Sequence, residues 1–147
     1  MSEFRKKFMK KYLDDVKACI AAMEGHLDTF DELGQMMLDA RGRGATVFIC
    51  GNGGSASCAS HFTCDLSKGT IHPKEERFRV LALSDNIPLM TAWGNDSSYD
   101  DIFVEQLKNL MKVGDLVIGI SGSGNSPNVL KTIGWARANG AKTVSIT

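Results

Sequence analysis

Two segments rich in glycine and serine are the part of this sequence best suited to chemistry. Residues 50–55 read Cys-Gly-Asn-Gly-Gly-Ser, and residues 121–126 read Ser-Gly-Ser-Gly-Asn-Ser. Glycines let successive backbone N–H groups converge on an anion, and a helix beginning after such a loop adds partial positive charge. Serine hydroxyls, that of Ser55 included, and asparagine side-chain amides supply further hydrogen-bond donors. We interpret the pair as a phosphate or sugar site, with two plain turns as the alternative.

A histidine and a carboxylate follow the first of these segments. His61 and Asp65 are four residues apart and would share one face of a helix. Such a pair can bind a divalent metal together or serve as acid and base. A surface hydrogen bond is the simpler interpretation, and it stays open at this point.

A dinucleotide cofactor is the other ligand that a glycine-rich loop suggests. Gly51, Gly53 and Ala56 fit the loose dinucleotide fingerprint. That fingerprint needs an acidic residue about 20 positions further on, whereas the nearest candidate, Asp85, follows about 30 positions after the loop. The second loop also has no role in such a site. We therefore expect no nucleotide cofactor.

The elements that position these residues are predicted from the spacing of apolar side chains. Spacings of three and four predict a helix over residues 3–24 and a second one after Gly25. The spacing of Thr29 and Glu32 predicts a capping box, and Gly42 and Gly44 are suited to end the second helix. A seam between subunits and plain packing within one chain explain these helices equally well.

Short apolar runs alternate with helical patterns over the rest of the chain. Their near-continuous apolar character predicts strands buried on both faces. Alternating strands and helices predict a parallel sheet with right-handed crossovers, hence an α/β fold. The predicted strands are 46–50, 79–84, 116–121 and 142–147, and the predicted helices are 55–67, 87–93, 99–112 and 127–139.

The length of the chain predicts one domain. We expect a single domain over residues 1–147, with a helical segment at 1–44 and an α/β core at 45–147. The last residues fall inside the fourth predicted strand, with no helix after it. We therefore expect either that the chain is a fragment of a longer protein or that something else covers this edge of the sheet.

Composition and charge exclude several classes of partner. The 17 basic and 17 acidic residues give no net charge, which disfavours a nucleic-acid partner. No apolar run is long enough for a membrane span, and the N-terminus lacks the pattern of a signal peptide. No cysteines form a CxxC pair, so the four thiols are expected to be small buried hydrophobes in a reducing, cytoplasmic compartment: Cys19, Cys50, Cys58 and Cys64.

Five motifs together resemble the SIS (sugar isomerase) family, and within it the phosphoheptose isomerase branch. They are CGNGGSA at 50–56, His61-Phe62, ALSD at 82–85, GND at 94–96 and GISGSGNSPNV at 119–129. The resemblance implies a flavodoxin-like, three-layer α/β/α sandwich preceded by two long helices, assembled as a homotetramer. It also implies aldose–ketose isomerisation of sedoheptulose 7-phosphate.

The resemblance carries roles to individual positions. It implies that His61 and Asp65 are zinc ligands and that Asp65 lies close to the reacting carbons. The other implied residues contact the sugar or its phosphate: Asn52, Gly53, Gly54, Asn95, Asp96, Ser121, Gly122, Ser123 and Ser126.

Three departures from the family pattern leave the function open at this point. Asp65 stands where the isomerases characteristically carry Glu, and Lys68-Gly69 occupies the region of a family arginine. The family's further zinc ligands, a Gln and a His, belong to a C-terminal helix expected beyond residue 147. The family's last strand is also expected there. An isomerase is therefore one hypothesis. A non-catalytic SIS adaptor or sensor that acts through a protein partner is the other.

Overall fold

The computed structural model describes residues 2–147. It divides into two compact units, one that ends at Gln35 and one that runs from Met36 to Thr147. Helix α1 (Glu3–Met23) and a 3₁₀ turn (Glu24–His26) precede helix α2 (Leu27–Gly42), which spans the division. The helix predicted over 3–24 is confirmed. The capping box is wrong, because α2 already begins at Leu27 and Thr29 lies inside it. No helix in the described part of the chain is both long and apolar enough to cross a membrane.

A four-stranded parallel sheet forms the centre of the second unit. Its strands are β1 (Thr46–Gly51), β2 (Arg79–Ala82), β3 (Leu116–Ile120) and β4 (Lys142–Ile146). All neighbours are parallel, in the order β2-β1-β3-β4. The predicted α/β class and parallel sheet are therefore confirmed.

Helices follow the strands along the chain. They are α3 (Gly54–Cys64), α4 (Ile87–Asp96), α5 (Val104–Leu110) and α6 (Pro127–Ala138). Three predicted boundaries are wrong. The helix predicted over 87–93 continues to Asp96. The segment 99–112 is a 3₁₀ turn (Tyr99–Asp101) followed by the short α5, and 55–67 is α3 followed by a π-helical turn (Asp65–Gly69).

Both faces of the two central strands are covered. Phe48 and Val117 are register partners in one buried cluster with Phe103, Leu107 and side chains of α6. Side chains alternate along a strand, so Val47, Ile49 and Ile118, also fully buried, face the opposite side. Helix α3 packs against β1 and β2. The arrangement matches the three-layer expectation.

The edge strands depart from the prediction of burial on both faces. In β2, Leu81 is 47% exposed, and in β4, Ile146 is 38% exposed. The reason is position: β1 and β3 each have a neighbour on either side, whereas β2 and β4 each have one. Their apolar sequences alone do not distinguish the two situations.

The expectation of four buried thiols is also wrong. Cys50 lies in β1 and is buried, but Cys19, Cys58 and Cys64 lie on helices and are exposed. A cysteine in a helical pattern can fall on either face. Only its position in a central strand makes Cys50 a core residue.

The strand order brings the two glycine-rich loops together. From β1 the chain moves to one side to form β2, and it then crosses back to form β3 on the other side of β1. The order therefore reverses between β1 and β3. Ligands of open parallel sheets bind in the crevice at the carboxyl ends of the strands, at this reversal. The segments at 50–55 and 121–126 follow β1 and β3, and so both lie at that crevice.

Candidate functional site

The first loop makes a tight turn from β1 into α3. A Cβ on Gly51 would lie 2.7 Å from the Ser55 Cβ and 2.9 Å from the Ile120 carbonyl oxygen, so no larger residue fits there. The carbonyl of Asn52 accepts a hydrogen bond from the Ser55 amide at 2.9 Å. The helix therefore begins directly at the strand end, and the side chain of Asn52 stands at the crevice between β1 and β3.

The second loop holds its serine hydroxyls close together. Ser121, which is buried, and Ser126 have hydroxyl oxygens 3.0 Å apart. The Ser123 hydroxyl accepts from the Asn125 amide at 3.2 Å. Ser126 stands at the N-cap of α6, but its side chain makes no capping bond. Its hydroxyl is therefore not committed to the helix.

Backbone donors of this loop are unused within the described chain. The amides of Gly122 and Ser123 have no acceptor among residues 2–147, and both residues are exposed. Exposed amides beside a helix N-terminus and two hydroxyls form an arrangement that suits a phosphate group.

A pair of asparagines connects the two loops. Asn52 Nδ2 donates to Asn128 Oδ1 at 2.8 Å, and Asn128 Nδ2 donates to Asn52 Oδ1 at 2.9 Å. Tyr99, from the 3₁₀ turn, donates its hydroxyl to Asn52 Oδ1 at 3.2 Å. Three separate chain segments thus meet at Asn52. Sequence reasoning identified Asn52 but missed Asn128 and Tyr99. The one sequence signal for Asn128 was its place in the predicted helix 127–139, since asparagine is disfavoured in helices unless its side chain has a specific partner.

The predicted residues Asn95 and Asp96 lie elsewhere than expected. The predicted helices 87–93 and 99–112 leave both residues in the connection between them, but they are the last two residues of α4. Asn95 Nδ2 donates to Asp96 Oδ1 at 2.7 Å, and both side chains are exposed. In the described chain neither makes a hydrogen bond to the glycine-rich loops, and Tyr99, shortly after them, is the residue that reaches Asn52.

His61 and Asp65 do share one helix face. His61 Nε2 lies 3.3 Å from Asp65 Oδ2, with the two side chains 80% and 64% exposed. They line an open depression of about 510 Å³ together with Ser57, Cys58 and Phe62. The carboxylate is accessible to a ligand, and the imidazole lies beside it.

The described residues do not supply a complete zinc site. His61 and Asp65 provide two donors, and no group of three His, Cys, Asp or Glu side chains able to hold a metal occurs within residues 2–147. Catalytic zinc takes three protein ligands and an open position. The donor set on these residues does not fit that requirement.

One ion pair holds the turn that carries Tyr99. Lys131 Nζ, on α6, donates to Asp101 Oδ1 at 2.5 Å, and the Ser97 hydroxyl donates to Asp101 Oδ2 at 2.8 Å. The hydrogen bond from Lys131 is the main cause that lowers the pKa of Asp101 below its ordinary value. The same bond raises the pKa of Lys131. The pair therefore ties the segment before α5 to α6, at the end where Asn128 lies.

Comparison with known sequences identifies relatives over nearly the whole chain. The SIS domain family model matches residues 11–147. The phosphoheptose isomerase of Aliarcobacter butzleri is 34% identical over 139 residues, which are 95% of this chain and 73% of that protein. The phosphoheptose isomerase of Akkermansia muciniphila is 33% identical over 147 residues, 100% of this chain and 75% of that protein. The probable phosphoheptose isomerase of Thermoplasma volcanium is 38% identical over 121 residues, 82% of this chain and 61% of that protein.

Solved structures agree with these relatives. The structure of phosphoheptose isomerase from Neisseria gonorrhoeae matches with a TM-score of 0.85 at 27% identity, covering 97% of this chain and 73% of that one. A phosphoheptose isomerase from Francisella tularensis matches with a TM-score of 0.85 at 25% identity, covering 99% and 74%. The fold is therefore that of these proteins, although the chain spans only about three quarters of each.

Proposed function

The chain belongs to the SIS domain family, and from this premise we propose that it is a sugar-phosphate isomerase of the phosphoheptose isomerase type. Its substrate would be sedoheptulose 7-phosphate, which it would convert to an aldoheptose 7-phosphate. The relatives named phosphoheptose isomerase support this function over a non-catalytic adaptor.

One observation carries the assignment of the substrate class. The loop after β3 presents the exposed, unpaired amides of Gly122 and Ser123 beside the hydroxyls of Ser121 and Ser126. A phosphate monoester offers several anionic oxygens that need such donors. The sugar would then extend toward Asn52, which the Asn128 pair connects to this loop.

The chemistry requires one base and a way to move a proton between two carbons. A carboxylate removes the proton from C1 of the ketose, beside the C2 carbonyl, and an enediolate results. The proton returns at C2, and the proton of the C1 hydroxyl passes to the C2 oxygen, so that C1 becomes the new carbonyl and C2 carries a hydroxyl. Asp65, exposed in the depression on α3, is the proposed base, with His61 beside it as a second group able to carry a proton.

Proton exchange into the substrate tests this function. Purified protein and sedoheptulose 7-phosphate are mixed in deuterium oxide, with and without added zinc, and deuterium at C1 is followed by NMR. The wild type is expected to incorporate deuterium and Asp65→Asn to incorporate none, because an amide cannot act as the base. Asp15→Asn is the matched control, since Asp15 is also an exposed helical carboxylate with a partner four residues away, Lys11.

The same experiment separates the two hypotheses that the sequence left open. Line broadening of the sugar phosphate without any exchange would support a receptor or adaptor. Deuterium exchange that persists in Asp65→Asn would support the isomerase function but would show that Asp65 is not the base.

A further inference from the structure

Asn128 is an almost completely enclosed polar side chain near the crevice. It is 1% exposed, in the first turn of α6, two residues after the serine-rich loop. A buried carboxamide without partners would cost free energy. Its hydrogen bonds all lead either to its own helix or to Asn52, so its burial is stabilised by the pair that connects the two loops.

The backbone of α6 determines which way this carboxamide faces. The Val129 amide donates to Asn128 Oδ1 at 2.9 Å, so the atom at that position must be an oxygen. The nitrogen of Asn128 is then the atom that faces Asn52 Oδ1. The orientation of Asn128 thus sets the orientation of Asn52.

The pairing leaves Asn52 with one unused hydrogen-bonding group. Both lone pairs of its Oδ1 are taken, by Asn128 Nδ2 and by the Tyr99 hydroxyl. One of its two N–H groups goes to Asn128 Oδ1. The remaining N–H group can only donate. Asn52 therefore presents a single fixed donor, which suits an anionic or hydroxyl oxygen of a ligand.

We propose that Asn128 is a positioning residue that fixes Asn52 as a donor to the sugar phosphate and holds the β1 and β3 loops in register. The inference rests on the proposed function for its ligand. It does not depend on turnover, because Asn128 is proposed to affect the affinity for the sugar phosphate and not the chemical step.

A double-mutant cycle in binding affinity tests this role. Dissociation constants for sedoheptulose 7-phosphate are measured by calorimetry for wild type, Asn52→Ala, Asn128→Ala and the double variant. Each single variant is expected to bind roughly 10-fold more weakly, the order that loss of one hydrogen bond to a charged group produces. The double variant is expected to bind no more weakly than Asn52→Ala, because Asn128 acts through Asn52.

Asn128→Asp is the second variant, and it keeps the size of the side chain. A carboxylate cannot donate to Asn52 Oδ1, so Asn52 would turn or lose its partner, and binding should weaken at least as much as in Asn128→Ala. This variant decides the matter if Asn128→Ala fails to fold.

Thr132→Val is the matched control for loss of a buried polar group on α6. Thr132 is fully buried one turn further along α6 and donates to the Asn128 carbonyl at 2.6 Å, and it has no bond to Asn52. The dissociation constant of this variant for sedoheptulose 7-phosphate should stay within about twofold of the wild-type value.

Additive losses of affinity in the double variant, or an equal loss in Thr132→Val, would overturn the positioning role. If the wild-type protein binds the sugar phosphate but does not convert it, the isomerase function is contradicted and the double-mutant cycle still tests the role of Asn128. If the wild-type protein does not bind the sugar phosphate, both proposals are overturned.

Discussion

At the scale of single residues, the site depends on contacts between positions far apart in the sequence. Asn52 and Asn128 are separated by 76 positions, and Tyr99 and Asn52 by 47. His61 and Asp65 could be paired from their spacing alone, because a helix brings positions four apart together. No local pattern places Asn128 or Tyr99 at Asn52, so the sequence could indicate the donors of the site and not what orients them.

The thiols give a residue-scale prediction. Burial raises the pKa of Cys50 to about 12, and the other three cysteines are exposed. Thiolate is the reactive form, so Cys50 should be inert in the folded protein. Ellman's reagent at pH 8 should modify three thiols quickly and the fourth only after denaturation. Rapid reaction of all four, with the circular dichroism unchanged, would contradict the buried position of Cys50.

At the scale of elements, close approach between α6 and β3 positions the second loop. Gly119 lies in β3 beneath α6, and a Cβ there would meet Val129 Cγ1 at 2.8 Å and Ile133 Cγ1 at 3.0 Å. This lack of a side chain lets the helix pack directly on the strand. The N-terminus of α6, which carries Ser126 and Asn128, is brought to the strand end as a result.

Gly119→Ala should therefore destabilise the fold. Overpacking of this kind costs about 1–3 kcal/mol, and urea denaturation should give a free energy of unfolding lower by that amount. Gly134→Ala, on α6 itself, is the control. Nothing lies within 4 Å of a Cβ at Gly134, so it should raise the free energy of unfolding by about 0.5–1 kcal/mol. A Gly119→Ala variant as stable as the wild type would show that α6 does not pack this closely.

The ion pair between Asp101 and Lys131 gives a prediction about pH. The pKa of Asp101 is lowered on folding, so its contribution to stability is present above the unfolded value of about 3.9 and is lost as pH falls through the lower folded value. The pKa of Lys131 is raised, so its contribution is present below about 10.4 and is lost as pH rises above that. The pair should stabilise the protein between these limits.

Thermal melts of Lys131→Met at pH 7 and pH 2 measure this contribution. The variant should melt below the wild type at pH 7, and the difference should shrink at pH 2. Lys11→Met removes an exposed ion pair on α1 and should change little at either pH. An equal difference at both pH values would mean that Lys131 acts through packing alone.

The segment that this ion pair holds also shows why one helix prediction failed. Residues 99–112 have a helical apolar pattern, yet Ser98 caps a 3₁₀ turn through the Asp100 amide, and Lys131 and Ser97 hold Asp101. These tertiary contacts override a local propensity that is worth only tenths of a kcal/mol per residue. The strands, by contrast, were predicted to within two residues, because their apolar runs are short and bounded by turns.

At the scale of the whole molecule, the strand order makes the site. The apolar runs predicted a parallel sheet, whereas the order β2-β1-β3-β4 places the loops of β1 and β3 side by side. That order is a property of the fold, which the relatives share. The exposed apolar side chains of α1, among them Phe4 and Phe8, accord with the expected homotetramer, which stays a prediction.

The most direct measurement is a titration of ¹⁵N-labelled protein with sedoheptulose 7-phosphate, followed by TROSY NMR. The account predicts saturable shifts of the Gly122 and Ser123 amides and of the Asn52 side-chain NH₂, because these donors at the crevice are not fully used within the described chain. The Gly44 amide, which already donates to the Arg41 carbonyl, should not move. Shifts centred away from the two loops, or none at millimolar sugar phosphate, would contradict the assignment of the crevice as the substrate site.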